Sequence, residues 1–233
     1  MELAIRYEPD AYKMGGEKIM GRHAAGHGFL SALLQHGGLS KLTGMVSSNK
    51  VAEDYLETIA SAKPGLATQA ADLSNLSALA SAGTYYLPEP LSSVPAWPRQ
   101  LVHPTAWSLC GVTHTISSAG AMDMISSWLT LPLFPWDAVI CTSSAVKQSA
   151  ETILKAQAEY LRFRTAATRF SVPEMPIIPL GVDCAALERA PADQAAARAA
   201  LGIPDDAAVV LFLGRLSWHA KANPAPMYLA LEK

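Results

Sequence analysis

The chain has 233 residues, of which 50% are hydrophobic and 16% are charged, and its formal net charge at pH 7 is -2. This composition excludes an intrinsically disordered chain and a strongly basic nucleic-acid binder, so we expect a folded protein without nucleic acid among its partners. The cysteines show no metal-ligand spacing, so we expect no metal site. The N-terminus carries no export signal, which predicts a cytoplasmic protein. Prolines interrupt the apolar stretches, so we expect no transmembrane segment.

Strand and helix patterns alternate at the start of the chain. Apolar spacing and stop signals divide this part into four elements. They are residues 3–7 (strand), 29–37 (helix), 41–46 (strand) and 51–62 (helix). In the second helix, Glu53 and Asp54 are expected in the first turn, where acidic groups complement the helix dipole.

Two apolar runs in the middle of the chain indicate strands that are buried on both faces of a parallel sheet. They are residues 107–116 and 137–143. Ser143 and Ser144 then precede a long helical pattern, and we expect them to cap this helix rather than to meet an acceptor. Between residues 63 and 98 the pattern is weaker, with a short helix, a short strand and a proline-rich loop.

This alternation predicts an α/β protein with a doubly wound parallel sheet. An alanine-rich segment with Pro191 and Pro204 then leads to a new apolar strand at 208–214. We therefore expect a Rossmann-like N-terminal domain at 1–180, a linker at 181–207 and the beginning of a second domain at 208–233. So few residues cannot complete a second sheet, and the chain is expected to be a fragment.

Two cations follow the last apolar run. Arg215 comes directly after Gly214, and Lys221 stands six residues later. The carboxyl end of a strand in an open α/β sheet is where ligands bind. An arginine fork and a lysine at such a place suit a diphosphate. The spacing alone leaves open a second interpretation, a pair of solvated surface cations.

Four phrases in this order carry a family resemblance. They are GVTHTISS (111–118), DAVICTSSAVKQSAETIL (137–154), IPLGVD (178–183) and VVLFLGRLSWHAKANPAPMYLALEK (209–233). With them the chain resembles the retaining, nucleotide-sugar-dependent glycosyltransferases of family 4, which have the two-domain GT-B fold. The resemblance implies transfer of a sugar from a nucleotide-diphosphate donor to an acceptor with retention, without a cofactor. It also implies that Arg215 and Lys221 hold the donor diphosphate.

The resemblance further implies site residues in the N-terminal domain. His114 is expected to face the donor sugar or the acceptor hydroxyl, although a lone histidine at a strand end is more often structural. A glycine-rich loop is expected from Gly15 and Gly16 or from Gly21 with Arg22, because glycine lets backbone N–H groups approach phosphate closely. Either segment can also be an ordinary flexible loop. No role is assigned to three further histidines, which line a cleft or face water: His23, His27 and His103.

Family members carry a Glu, seven residues and a second Glu in the C-terminal domain, and no such pair can be placed here. We therefore expect this chain alone to be inactive. The competing interpretation is a non-catalytic α/β module that binds a phosphate-bearing ligand or a partner. Basic residues on the long helix allow contact with a membrane surface, but Glu151 and Glu159 interrupt them, so a solvated helix is favoured.

Overall fold

The computed structural model describes residues 1–15, 21–212 and 223–232. The chain divides into two compact units, Met1–Asp183 and Cys184–Lys233. The first unit thus ends close to the predicted domain boundary at residue 180. The predicted linker at 181–207 and second domain from residue 208 stay predictions.

The first unit is built on a sheet of six strands. They are β1 (Glu2–Arg6), β2 (Lys41–Val46), β3 (Ala67–Asp72), β4 (Thr84–Tyr86), β5 (Ser108–Val112) and β6 (Ala138–Ile140). All neighbouring strands are parallel, and their spatial order is β3-β2-β1-β4-β5-β6. This is a doubly wound, Rossmann-like order. The predicted α/β class with a parallel sheet is confirmed, whereas the GT-B type stays a prediction.

Helices connect these strands and make up much of the second unit. In the first unit they are α1 (Pro9–Tyr12), α2 (Gly21–His36), α3 (Asn49–Ala62), α4 (Leu76–Ala82), α5 (Ser93–Ala96), a 3-10 turn (Pro98–Leu101), α6 (Ala119–Ser127) and α7 (Ser144–Thr165). In the second they are α8 (Cys184–Leu187), α9 (Pro191–Ala200) and α10 (Ala225–Leu231). None of the helices described is long and apolar enough to cross a membrane.

Polar side chains fix the starts of several helices. The hydroxyl oxygen of Ser143 accepts a hydrogen bond from the backbone N–H of Val146 at 3.2 Å, so the predicted serine cap of α7 is confirmed. Ser48 caps α3 in the same way. Helix α3 therefore begins at Asn49, and the expectation that Glu53 and Asp54 lie in its first turn is wrong because the cap starts the helix earlier.

Two apolar cores cover the two faces of the sheet, and β1 contributes to both. Leu3 and Ile5 belong to the core under α2 and α3, whereas Ala4 between them belongs to the core under α4, α6 and α7. This alternation follows from the period of two residues along a strand. The sheet is therefore sandwiched between two helical layers.

A buried ion pair joins the 3-10 turn to the amino end of β6. The Arg99 guanidinium donates to the two carboxylate oxygens of Asp137 at 2.6 and 2.7 Å, and both side chains are 0% exposed. Arg99 also donates to the Trp107 carbonyl at 2.9 Å, and Asp137 accepts the Leu109 N–H at 2.8 Å. The pair ties the amino ends of β5 and β6 together, at the edge opposite the strands' carboxyl ends.

The predicted strand at 208–214 does not form over its described part, residues 208–212. There the apolar side chains are exposed: Val209, Val210, Leu211 and Phe212. A strand needs a hydrogen-bonded neighbour, and none of the described residues pairs with this segment. The prediction of a strand is wrong for these residues because a continuous apolar run alone does not supply a partner. Further along the chain than the two cations, helix α10 begins at Ala225.

Candidate functional site

The carboxyl ends of three central strands bring an arginine, a glutamate and a histidine to one edge of the sheet. Arg6 ends β1, Glu89 follows β4 and His114 follows β5. The strand order reverses between β1 and β4: β2 and β3 follow outward from β1, and β5 and β6 follow outward from β4 in the opposite direction. Ligands of doubly wound sheets bind beyond the carboxyl ends of the strands at such a switch point. A guanidinium nitrogen of Arg6 lies 3.9 Å from a carboxylate oxygen of Glu89. This edge is the candidate site.

His114 is held at this edge by a backbone contact. Its Nε2 lies 2.9 Å from the carbonyl oxygen of Pro88. Because a carbonyl oxygen only accepts, Nε2 must carry the proton, and Nδ1 of the neutral ring is left as an acceptor. The side chain is exposed. An imidazole fixed in this way can accept a hydrogen bond from a ligand hydroxyl.

Gly111 in β5 holds the chain that follows β4 in place. A Cβ at this position would lie 2.7 Å from the carbonyl oxygen of Glu89. The same carbonyl accepts the backbone N–H of Val112 at 3.1 Å. The segment with Glu89 can therefore pass close to β5 only because residue 111 has no side chain.

Sequence analysis missed Arg6 and Glu89 as site residues. Arg6 lies in a predicted strand, but its partner follows β4, in the stretch where the sequence pattern is weak. The sequence offered one signal near Glu89, the pair Tyr85–Tyr86. This pair indicates the short strand β4 but does not indicate a site residue after it.

The two glycine candidates differ in what the structure describes. Residues 16–20, between Gly15 and Gly21, lie outside the described part of the chain, and Gly21 is the first residue of α2. Among the described residues, no atom lies within 4 Å of a Cβ placed at either position. The described part of the fold therefore does not require glycine at these positions. Gly16 lies outside the described residues, and the predicted loop role stays a prediction.

Arg22, the predicted anion contact, is already engaged by a carboxylate. One guanidinium nitrogen lies 2.6 Å from an oxygen of Asp10, and Nε2 of His23 lies 3.2 Å from the other oxygen. Asp10 belongs to α1, so these contacts tie the start of α2 to α1. A phosphate would have to share Arg22 with Asp10.

A second polar cluster anchors the chain just before Gly15. Lys13 donates to one oxygen of Asp54 in α3, and the Tyr7 hydroxyl donates to the other oxygen at 2.8 Å. Burial raises the pKa of Asp54, but the hydrogen bonds from Lys13 and Tyr7 outweigh it, and the net effect is a lowered pKa. The carboxylate therefore stays charged and links the glycine-bearing segment to α3.

A cavity of about 330 Å³ lies between α2 and α3. Its walls include Tyr12 and Gly15, which precede α2 in the chain, and four residues of α2. Those four are His27, Leu30, Ser31 and Leu34. The Nδ1 atom of His27 lies 3.3 Å from the carbonyl oxygen of Tyr12. Of the histidines without an assigned role, His27 thus lines a cavity, whereas His23 is buried against Asp10.

Arg215 and Lys221, the predicted diphosphate contacts, lie outside the described residues. Their role stays a prediction. In the segments that the structure describes, no group of three or more His, Cys, Asp or Glu residues is placed to hold a metal ion.

Comparison of the chain with protein-family models, with curated proteins and with solved structures found no match. The resemblance to glycosyltransferases therefore rests on the four sequence phrases.

Proposed function

We propose that the protein is a cytoplasmic retaining glycosyltransferase of the GT-B type, which moves a sugar from a nucleotide-diphosphate donor to an acceptor hydroxyl. The observation that carries the proposal is the position of His114. One of the four family-like phrases, GVTHTISS, ends β5 and lies at the carboxyl edge of a doubly wound sheet. That edge is where such sheets bind their ligands.

The proposed roles follow from the chemistry of the side chains. Arg215 and Lys221 bind the donor diphosphate and stabilise the negative charge that develops as it leaves. His114 presents Nδ1 to a hydroxyl of the donor sugar, because its Nε2 is committed to the Pro88 carbonyl. The backbone N–H groups near Gly15 or Gly21 approach the ligand from the other side of the switch point.

A non-catalytic module that binds a phosphate-bearing ligand is the second candidate. The contact of His114 Nε2 with the Pro88 carbonyl favours it, because this histidine has a structural partner in the absence of any sugar. Such a module needs the diphosphate contact but has no use for a residue that contacts the donor sugar. The two candidates therefore differ in what His114 does.

Titration calorimetry of the full chain against nucleoside diphosphates and the corresponding nucleotide sugars tests the proposal. We expect Arg215→Ala and Lys221→Ala to weaken both ligand classes by about tenfold or more, since each loses a charge-assisted hydrogen bond. His114→Ala should weaken only the nucleotide sugars. Binding rather than turnover is measured because the Glu pair of the family is not among these residues.

Two exposed residues away from the candidate site provide matched controls. His103 precedes β5, near its amino end, and Lys155 lies on α7. His103→Ala and Lys155→Ala should leave both affinities unchanged. Equal binding of diphosphates and nucleotide sugars that is insensitive to His114→Ala would favour the non-catalytic module. A lack of binding to every nucleotide tested would contradict both candidates.

A further inference from the structure

We propose that the cavity between α2 and α3 binds a neutral amphiphilic alcohol, the acceptor of the transfer reaction. This inference rests on the proposed function and assigns the acceptor to a defined place. The cavity volume of about 330 Å³ is at the lower end of the range for small-molecule sites. A compact alcohol, with one hydroxyl and a short hydrocarbon part, fits such a volume.

One face of α2 supplies both the polar and the apolar wall. His27, Leu30, Ser31 and Leu34 all line the cavity, and their spacing places them on one side of the helix. Leu30 and Leu34 are buried. Hydrocarbon surface placed against them is removed from water, which favours binding.

His27 supplies the acceptor for the hydroxyl. The Tyr12 carbonyl, 3.3 Å from Nδ1, can only accept, so Nδ1 carries the proton in this contact. In the neutral ring, Nε2 is then unprotonated and accepts the O–H of an alcohol. Ser31 lies one helical turn further along the same wall and provides a second polar contact.

The charge at the cavity edge favours a neutral ligand. Lys13 lines the cavity, but its ammonium group pairs with the Asp54 carboxylate. An anionic ligand would have to compete with Asp54 for Lys13. An alcohol makes no such demand.

The cavity also reaches the segment that is proposed to face the donor. Gly15 forms part of its wall together with Tyr12, whose carbonyl orients His27. His27 and Leu34 lie about two helical turns apart on the same side of α2, so an alcohol whose hydroxyl binds at His27 extends its hydrocarbon part toward Leu34.

The test is an NMR titration of the full chain with a series of primary alcohols, from butanol to octanol. We expect the largest shifts at the cavity residues. The affinity should rise about fourfold with each added methylene until the cavity is full, since each one buries further apolar surface. An affinity that does not depend on chain length, or shifts elsewhere in the molecule, would overturn the inference.

Matched variants on α2 separate blocking of the cavity from damage to the helix. Ser31→Trp fills the cavity and should weaken hexanol binding at least tenfold. Ala32→Trp adds the same side chain at the exposed neighbouring position and should leave hexanol binding unchanged. His27→Phe keeps the ring but removes the acceptor, and should weaken hexanol binding severalfold while His36→Phe does not.

Thermal unfolding of each variant shows whether it is folded. If Ser31→Trp does not fold, Ala62→Phe on α3 is the second variant that fills the same cavity. Unchanged hexanol affinity in a folded, cavity-filled variant would disprove the site. The titration contains no nucleotide, so its result is independent of donor binding. If alcohols bind as expected and nucleotides do not, the proposed transferase fails while the alcohol site stands.

Discussion

Arg99 and Asp137 form an ion pair with both side chains fully buried, whereas Arg22 and Asp10 form one at the surface. Removing one partner of a buried pair leaves the other charged and desolvated. We expect Asp137→Ala to lower the free energy of unfolding by about 3–5 kcal/mol, and Asp10→Ala by less than about 1 kcal/mol. Urea denaturation of both variants measures the difference, and similar effects would show that burial does not govern these pairs.

The lowered pKa of Asp54 makes a part of the stability pH-dependent. A carboxyl whose pKa is lower in the folded than in the unfolded chain stabilises the fold above the unfolded pKa. This contribution is lost as the pH falls through the folded pKa. We expect Asp54→Asn to destabilise the protein at neutral pH and to approach the wild type in strong acid.

Unfolding curves at neutral pH and at about pH 2–3 measure this convergence. Glu57→Gln is the control, because Glu57 is an exposed carboxylate on the same helix. A gap between wild type and Asp54→Asn that stays constant with pH would exclude the charged contact with Lys13 as its cause.

Single residues were predictable where their role is local. Ser143 could be identified as a cap because the N–H that it satisfies lies three residues away. The partners Arg99 and Asp137 are 38 residues apart, and no local pattern indicates their pairing. Arg22 shows the same limit, since Asp10 becomes its partner only through the packing of α1 against α2.

At the scale of helices and strands, Gly26 sets how closely α2 approaches α1. A Cβ at Gly26 would lie 1.8 Å from the carbonyl oxygen of Ala11, whereas one at Gly28 would meet no atom of the described residues within 4 Å. We expect Gly26→Ala to lower the free energy of unfolding by at least about 1–3 kcal/mol. Gly28→Ala should raise it by about 0.5–1 kcal/mol, because alanine is the better helix former.

Both glycine variants lie on one helix and add one methyl group, so chemical denaturation compares them directly. Gly26→Ala should also weaken hexanol binding, since α1 carries the Tyr12 wall of the cavity. A stable Gly26→Ala variant would mean that α1 moves aside without cost.

Strands with large apolar residues were easier to predict than strands of small and polar residues. The apolar run of β2 predicts Lys41–Val46, the range that the structure has. The edge strand β3 was missed, because its sequence ATQAAD is half exposed and contains no large apolar residue. Helix α6 was missed as well, although Ser118, two residues beyond the predicted strand at 107–116, caps it.

At the scale of the whole molecule, the apolar cores lie within Met1–Asp183. In Cys184–Lys233, none of the residues whose burial is described is buried. We therefore expect a chain of residues 1–183 to unfold cooperatively, with a free energy of unfolding within about 0.5 kcal/mol of the full chain. Urea denaturation monitored by tryptophan fluorescence and by circular dichroism measures both properties, and non-coincident transitions would contradict the expectation.

The overall α/β architecture was predictable because alternating periodicities encode it. The order of the strands in the sheet was not predictable, because it depends on the direction of each crossover. The segment before the undescribed residues 213–222 was the least predictable part: the run Val209–Phe212 has the composition of a strand but has no neighbour among the described residues.

The strand order has a consequence for how the protein is made. After β1, each new strand is added to an outer edge of the growing sheet, first β2 and β3 on one side, then β4, β5 and β6 on the other. No strand has to insert between two that are already paired. A chain leaving the ribosome can therefore enlarge its sheet outward from the N-terminal strand, and the slow long-range pairings of a parallel sheet can form in the order of synthesis.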